Sequence, residues 1–152
     1  MNKDIKTAKK TIQTEIKALK KLLSGLNDSS NFSKAVNALC KMKGKCLVVG
    51  VGKSYIVSLK VSATLSSLGT PSVAFSANDL QHGGLGAIQK NNDVLLVFSV
   101  SGESSELNSI LRYANRHNIL VIGASCKSNS MLMRHSTIKI LLPKVVEAGH
   151  TL

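Results

Sequence analysis

Five short runs of consecutive apolar residues punctuate the last two thirds of this chain and limit what it can fold into. They are Cys46-Leu47-Val48-Val49, Val73-Ala74-Phe75, Val94-Leu95-Leu96-Val97-Phe98, Ile119-Leu120-Val121-Ile122-Gly123 and Ile138-Lys139-Ile140-Leu141-Leu142. Runs this short and this continuous fit strands covered on both faces, as in a parallel sheet. Segments 54–68, 77–81, 104–116 and 128–134 lie between them and read as helices. The alternation predicts a doubly wound α/β domain with a five-stranded parallel sheet and right-handed crossovers. With no Trp and only 3% aromatic residues, its core is built from Val, Ile, Leu and Ala. A length of 152 residues is one domain's worth.

The N-terminal part has a different rhythm. Ile5, Ala8, Ile12, Ile16, Leu19 and Leu23 recur at three- and four-residue spacing, which predicts an amphipathic helix over 4–24 with Gly25 as its stop. A second helix is expected over 31–42, with Phe32, Val36 and Leu39 on its inner face, Ser29 or Ser30 as cap and Gly44 beyond its end. Residues 1–44 thus read as a helical hairpin preceding the sheet domain at 45–152. Such a pair serves either to dimerise or to cover its own domain.

Charge is concentrated in the same place. The net charge is +12, and residues 1–45 hold eleven Lys against Asp4, Glu15 and Asp28, an excess of eight. Without a recognition helix, this reads as a solvated lysine face rather than a nucleic-acid surface. A positive field also favours a small anionic substrate. Cys40, Cys46 and Cys126 form no Cys-x-x-Cys pair and no zinc-spaced cluster, so no metal is expected. They read as buried small hydrophobes in a reducing cytosol. The Lys-rich start lacks the apolar core of a signal peptide, and no run is long enough to span a bilayer. A cytoplasmic protein without a membrane partner is expected.

Two loops at the expected carboxyl ends of strands carry candidate chemistry. Gly50-Val51-Gly52-Lys53-Ser54 lacks the Gly at 47 that a P-loop needs and the third Gly at 55 of a dinucleotide fingerprint, having Leu47 and Tyr55 there. It still places Lys53 and Ser54 at a helix start, where backbone N–H groups favour an anion. Ser99-Val100-Ser101-Gly102-Glu103-Ser104-Ser105-Glu106 sets four hydroxyls around a glycine at a strand-to-helix turn. Hydroxyls and free N–H groups together make a cradle for a phosphate dianion. The plain alternative is a helix cap, with Ser101 or Ser104 followed by an acid; a cap needs only one hydroxyl.

Ser-x-Ser-Gly-Glu-Ser after an apolar strand resembles the phosphosugar loop of the sugar isomerase (SIS) domain family. Three further segments, Val49-Gly50-Val51-Gly52-Lys53-Ser54, Ser67-Leu68-Gly69-Thr70-Pro71-Ser72 and His82-Gly83-Gly84-Leu85-Gly86, resemble the D-arabinose-5-phosphate isomerases within it. The resemblance runs from about Lys43 to Ala148. It implies a flavodoxin-like SIS fold and the interconversion of D-ribulose 5-phosphate and D-arabinose 5-phosphate on the route to Kdo, lipopolysaccharide or capsule. It implies no redox cofactor and a homo-oligomer whose sites neighbouring subunits complete. Carried over by position, Ser54, Ser99, Ser101 and Ser104 match the phosphate-contacting hydroxyls. Lys53 matches the active-site lysine, Glu106 and Glu147 two site glutamates, and His82 the histidine of the family's His-Gly-Asp-Leu-Gly. Glu147 is the implied proton-shuttling base.

The departures are specific. Tyr55-Ile56-Val57-Ser58 stands where the family has Gly-His-Ile-Gly, Gly84 where it has Asp, and Asp79 where it has Glu. The family continues past the Glu147 segment into two helices, a further histidine and often a pair of CBS motifs. The comparison implies a chain truncated relative to the family and lacking those motifs. The expected alternative to an isomerase is a non-catalytic sugar-phosphate-binding, regulatory SIS module.

Overall fold

The structure, a computed structural model, describes residues 2–26 and 30–146. These fall into two compact units, one of residues 30–141 and the other of 2–26 with 142–146.

The larger unit is a five-stranded parallel sheet with helices on both faces. Its strands are β1 (Cys46–Gly50), β2 (Ser72–Ser76), β3 (Val94–Phe98), β4 (Leu120–Ser125) and β5 (Ile138–Leu141). The helices are α2 (Ser30–Lys41), α3 (Lys53–Ser67), α4 (Ala77–Gln81), α5 (Leu107–Arg116) and α6 (Met131–His135). The strand order is β2-β1-β3-β4-β5, and every neighbouring pair is parallel. This is the doubly wound arrangement the apolar runs predict.

Alternation along each strand divides the core into two layers. Leu47, Val49, Leu95, Val97 and Val121 face α4, α5 and α6, and meet Leu80, Leu107, Ile110, Leu111 and Leu132. Cys46, Val48, Val94, Leu96, Ile122 and Ile138 face Ala35, Ala38 and Leu39 of α2, Met42 just beyond it, and Val61 and Leu65 of α3. β1 and β3 are central, so their residues are buried from both sides, which is why they read as unbroken apolar runs.

α3 packs differently. Its buried positions are Ser58 and Ser62. Ser58 Oγ donates to the Ser54 carbonyl at 2.9 Å, and Ser72 Oγ donates to the Ser62 carbonyl at 2.7 Å. Small hydroxyl side chains bring this helix close to the edge strand β2 while satisfying their own polarity.

The amino ends of β1 and β3 are clamped by charge. Asp93, with no exposed side-chain surface, accepts from Lys45 Nζ, the Lys45 N–H and the Gln89 N–H, each at 2.8 Å. The clamp holds the strand pair at the end opposite the two candidate loops.

In the smaller unit α1 spans Lys3–Gly25, and the Asn2 side chain accepts from the Asp4 N–H at 3.1 Å to cap it. Asp4 sits in its first turn, where the helix dipole favours an anion. Lys21 Nζ donates to the Lys144 carbonyl at 2.8 Å.

Several expectations need correction. Helix α5 begins at Leu107 rather than 104, because residues 104–106 form turns in which the Leu107 N–H donates to the Ser104 carbonyl and the Asn108 N–H to the Ser105 carbonyl. Strand β4 runs on to Ser125, and a 3₁₀ turn at Gly84–Ala87 was not expected. Only Cys46 is a buried thiol, and burial pushes it up to about 12; Cys40 is exposed and Cys126 half-buried. Among the described residues no helix is long and apolar enough to cross a membrane.

Candidate functional site

The chain leaves β1 toward β2 on one side and leaves β3 toward β4 on the other. Connections that diverge in this way open a crevice outside the carboxyl ends of β1 and β3, where doubly wound folds place ligands. Val49 and Val97 are paired in register, so the loops that follow them begin side by side.

On the β1 side, the turn into α3 depends on Gly50. A Cβ there would lie 2.5 Å from the Ser54 carbonyl carbon and 2.7 Å from the Tyr55 nitrogen. Only a residue without a side chain lets the first turn of α3 close onto the strand end. The closed turn is held by the Ser54 N–H donating to the Val51 carbonyl at 3.0 Å. Lys53 is exposed as the first residue of α3, and Ser54 is half-buried beside it. Tyr55 continues the helix without interrupting it.

On the β3 side, the serines shape the loop before any ligand is considered. Ser99 Oγ accepts the Gly102 N–H at 3.0 Å and lies 3.3 Å from Ser104 Oγ. Ser101 Oγ accepts the Glu103 N–H at 3.2 Å. A hydroxyl that accepts from the backbone keeps its own proton to donate. None of the serines caps α5, whose N-cap residue is Glu106 and carries no side-chain cap bond. The four hydroxyls are therefore not spent on the helix terminus. Ser99 is buried, Ser104 half-buried and Ser101 exposed, which grades the loop from sheet to solvent.

Gly102 has φ +66° and is buried. A Cβ there would fall 2.1 Å from Ser130 Oγ and 2.8 Å from Ser125 Oγ. The loop backbone thus lies directly on the serines that begin α6 and end β4.

The third contribution comes from β2. α4 follows that strand without a break, and Gln81 Nε2 donates to the Glu106 carbonyl. His82 is the next residue and is exposed. Lys53, Ser54, His82, Ser99, Ser101, Ser104 and Glu106 all follow the carboxyl ends of three adjacent strands. Glu106 is half-buried, and its Oε2 accepts from Ser105 Oγ at 3.2 Å. Glu147 lies outside the described residues. Among the described residues no group of three or more His, Cys, Asp or Glu could hold a metal ion.

Residue patterns did not point to three of the groups that build this end of the sheet. Glu103 bonds Lys127 Nζ at 3.1 Å, and the side-chain bond from Lys127 holds its carboxyl below the usual range. Ser125 and Ser130 form the seat under Gly102. Gln81 joins α4 to the loop before α5. Their partners are 23 to 28 residues away in sequence, so no local spacing marks them.

Comparison with known proteins gives a consistent result. The family model described as SIS domain matches residues 39–151. The chain is 36% identical over 136 residues to arabinose 5-phosphate isomerase KdsD of Pseudomonas aeruginosa, covering 90% of this chain and 41% of that protein. It is 33% identical over 142 residues to the uncharacterised protein RP505 of Rickettsia prowazekii, covering 93% of this chain and 44% of that protein. It thus spans less than half the length of either relative. The solved structure of c3406 from E. coli CFT073, in complex with arabinose 5-phosphate, is 31% identical, with a TM-score of 0.88 over 98% of this chain and 79% of the other. The match runs through both loops of the switch-point crevice and the sheet that aligns them: the chain belongs to the SIS domain family.

Proposed function

We propose that this chain carries the sugar-phosphate site of an aldose–ketose isomerase that interconverts D-ribulose 5-phosphate and D-arabinose 5-phosphate. The observation that carries the reading is the serine loop. The Ser99 and Ser101 hydroxyl oxygens accept from the loop's own N–H groups, so each keeps its proton to donate at the carboxyl end of the sheet. A dianion there is met by O–H donors, by the turn before α5 and by the start of α3.

The reaction moves a proton between C1 and C2 through an enediol. The phosphate anchor supplies orientation, which converts binding free energy into rate. Lys53 stands at the adjacent loop and is assigned to steady negative charge on the substrate oxygens. Glu147 is assigned the proton transfer. Glu106 supports the site or serves a neighbouring subunit, and His82 borders the sugar. Ser54, Ser99, Ser101 and Ser104 hold the phosphate. Neighbouring copies complete the site in a homo-oligomer, and the product feeds synthesis of an acidic surface sugar such as Kdo.

Incubating pure protein with ribulose 5-phosphate is expected to yield arabinose 5-phosphate. Lys53→Ala is expected to lower turnover by about a hundredfold or more while phosphate binding persists. Ser101→Ala is expected to weaken sugar-phosphate binding about tenfold or more, as loss of a hydrogen bond to a charged group does. Binding without turnover in the parent chain would convert the reading to a regulatory sugar-phosphate module.

A further inference from the structure

An acidic residue between two phosphate-binding serines is electrostatically adverse. Glu103 lies between Ser101 and Ser104, and a carboxylate there raises the cost of bringing in a dianion. Its position asks for a compensating function, and its contacts supply one.

Both carboxylate oxygens turn onto the segment that leads from β4 into the first turn of α6. Oε1 accepts from Lys127 Nζ at 3.1 Å, and Oε2 accepts from the Met131 N–H at 3.3 Å. Two backbone bonds flank this bridge: Leu132 N–H to the Gly102 carbonyl at 2.9 Å and Cys126 N–H to the Val100 carbonyl at 3.0 Å. The loop is thus stitched to one segment, residues 126–132, at four points. The Glu103 N–H in turn donates to Ser101 Oγ. Fixing Glu103 therefore fixes the Ser101 hydroxyl, and Lys127 cancels the charge that this anchor introduces.

We infer that Glu103 is a positioning residue for the phosphate loop, acting with Lys127 as a neutral clamp that presets the Ser101 hydroxyl for an anion. This rests on the sugar-phosphate reading of the site. The two effects of the carboxylate have opposite signs, which makes the inference testable. Glu103→Gln keeps the shape and removes the charge. If the clamp dominates, affinity falls; if repulsion dominates, affinity rises.

The test is calorimetry with arabinose 5-phosphate and with inorganic phosphate on wild type, Glu103→Gln, Lys127→Met and the double variant, with amide exchange at residues 101–106 in the ligand-free proteins. Each single variant is expected to weaken both ligands about two- to fivefold, the scale of an exposed ion pair. The double variant should be no weaker than the weaker single, because one interaction is removed once. Exchange at residues 101–106 should rise in Glu103→Gln while the melting temperature stays close to wild type. Equal or tighter binding by Glu103→Gln, or unchanged exchange at those amides, overturns the clamp. A wild-type chain that binds neither ligand overturns the sugar-phosphate reading instead, and the exchange measurement still decides whether Glu103 orders the loop.

Discussion

Gly102→Ala is expected to weaken the proposed sugar-phosphate binding at least tenfold while leaving the sheet folded. Two costs combine at this position. The backbone is left-handed, with φ +66°, which a residue with a Cβ adopts at about 1–2 kcal/mol. The new Cβ would also lie 2.1 Å from Ser130 Oγ and 2.4 Å from Ser130 Cβ. Ser130 cannot move aside freely. It is fully buried and caps α6, accepting the Met133 N–H at 3.4 Å. The overlap adds about 1–3 kcal/mol, as overpacking in a well-packed site does.

The cheapest relief is for the loop to lift off its seat. That breaks the Gly102 N–H bond to Ser99 Oγ and the Leu132 N–H bond to the Gly102 carbonyl. Ser99 and Ser101, which flank the displaced turn, then lose their geometry together. Calorimetry with arabinose 5-phosphate is expected to show at least a tenfold loss, one factor of ten for every 1.4 kcal/mol of loop strain. Gly25→Ala is the control, since a Cβ there meets nothing within 4 Å. Full binding by Gly102→Ala would show that the loop tolerates displacement and that its seat does not matter.

Asp93→Ala is expected to destabilise the sheet by about 3–4 kcal/mol. Removing a buried partner usually costs about 3–5 kcal/mol, because the remaining charge is stranded. Here Lys45 retains some access to solvent and a second acceptor, the Ala87 carbonyl at 2.9 Å, so the lower part of that range applies. The N–H groups of Lys45 and Gln89 also lose their acceptor, and each unsatisfied donor adds to the loss.

The same contacts set an acid dependence. Burial pushes the Asp93 carboxyl up, but the bonds from the Lys45 side chain, the Lys45 N–H and the Gln89 N–H outweigh it, and the net shift is downward. A carboxyl depressed in the folded state stabilises fully above its unfolded pKa of about 3.9. That contribution is lost as pH falls through the lower folded value. Urea midpoints are therefore expected to fall more steeply on acidification in wild type than in Asp93→Asn. Parallel acid profiles for the two proteins would rule the clamp out as the source.

How much of this was legible depended on how far apart the partners lie. Each strand of the sheet was readable from its apolar run, since β1 and β3 are buried on both faces and leave no polar alternation to confuse them. α3 was readable mainly from its boundaries. Its buried side chains are Ser58 and Ser62, so its inner face carries little apolar signal. The start of α5 was misplaced because Ser104 and Ser105 bend the chain in turns before the helix begins.

In the candidate site, the residues of the two loops were readable as local clusters. Ser99, Ser101 and Ser104 share one turn, and Lys53 and Ser54 share another. The alternative that the serines merely cap a helix could not be settled from spacing. It was decided by the fold, in which Ser99 and Ser101 bond within the loop and α5 takes no side-chain cap.

By itself, then, the sequence determined the layer order of the domain and singled out the two loops proposed to receive an anion. Hydrophobic periodicity and turn chemistry act between residues close along the chain. The tertiary structure alone decided what holds those loops in place: Glu103 on Lys127 and Met131, Gly102 on Ser125 and Ser130, Gln81 on the Glu106 carbonyl. These contacts join segments that meet only because parallel strands bring their carboxyl ends to one edge of the sheet. Spacing along the chain carries no trace of such a meeting.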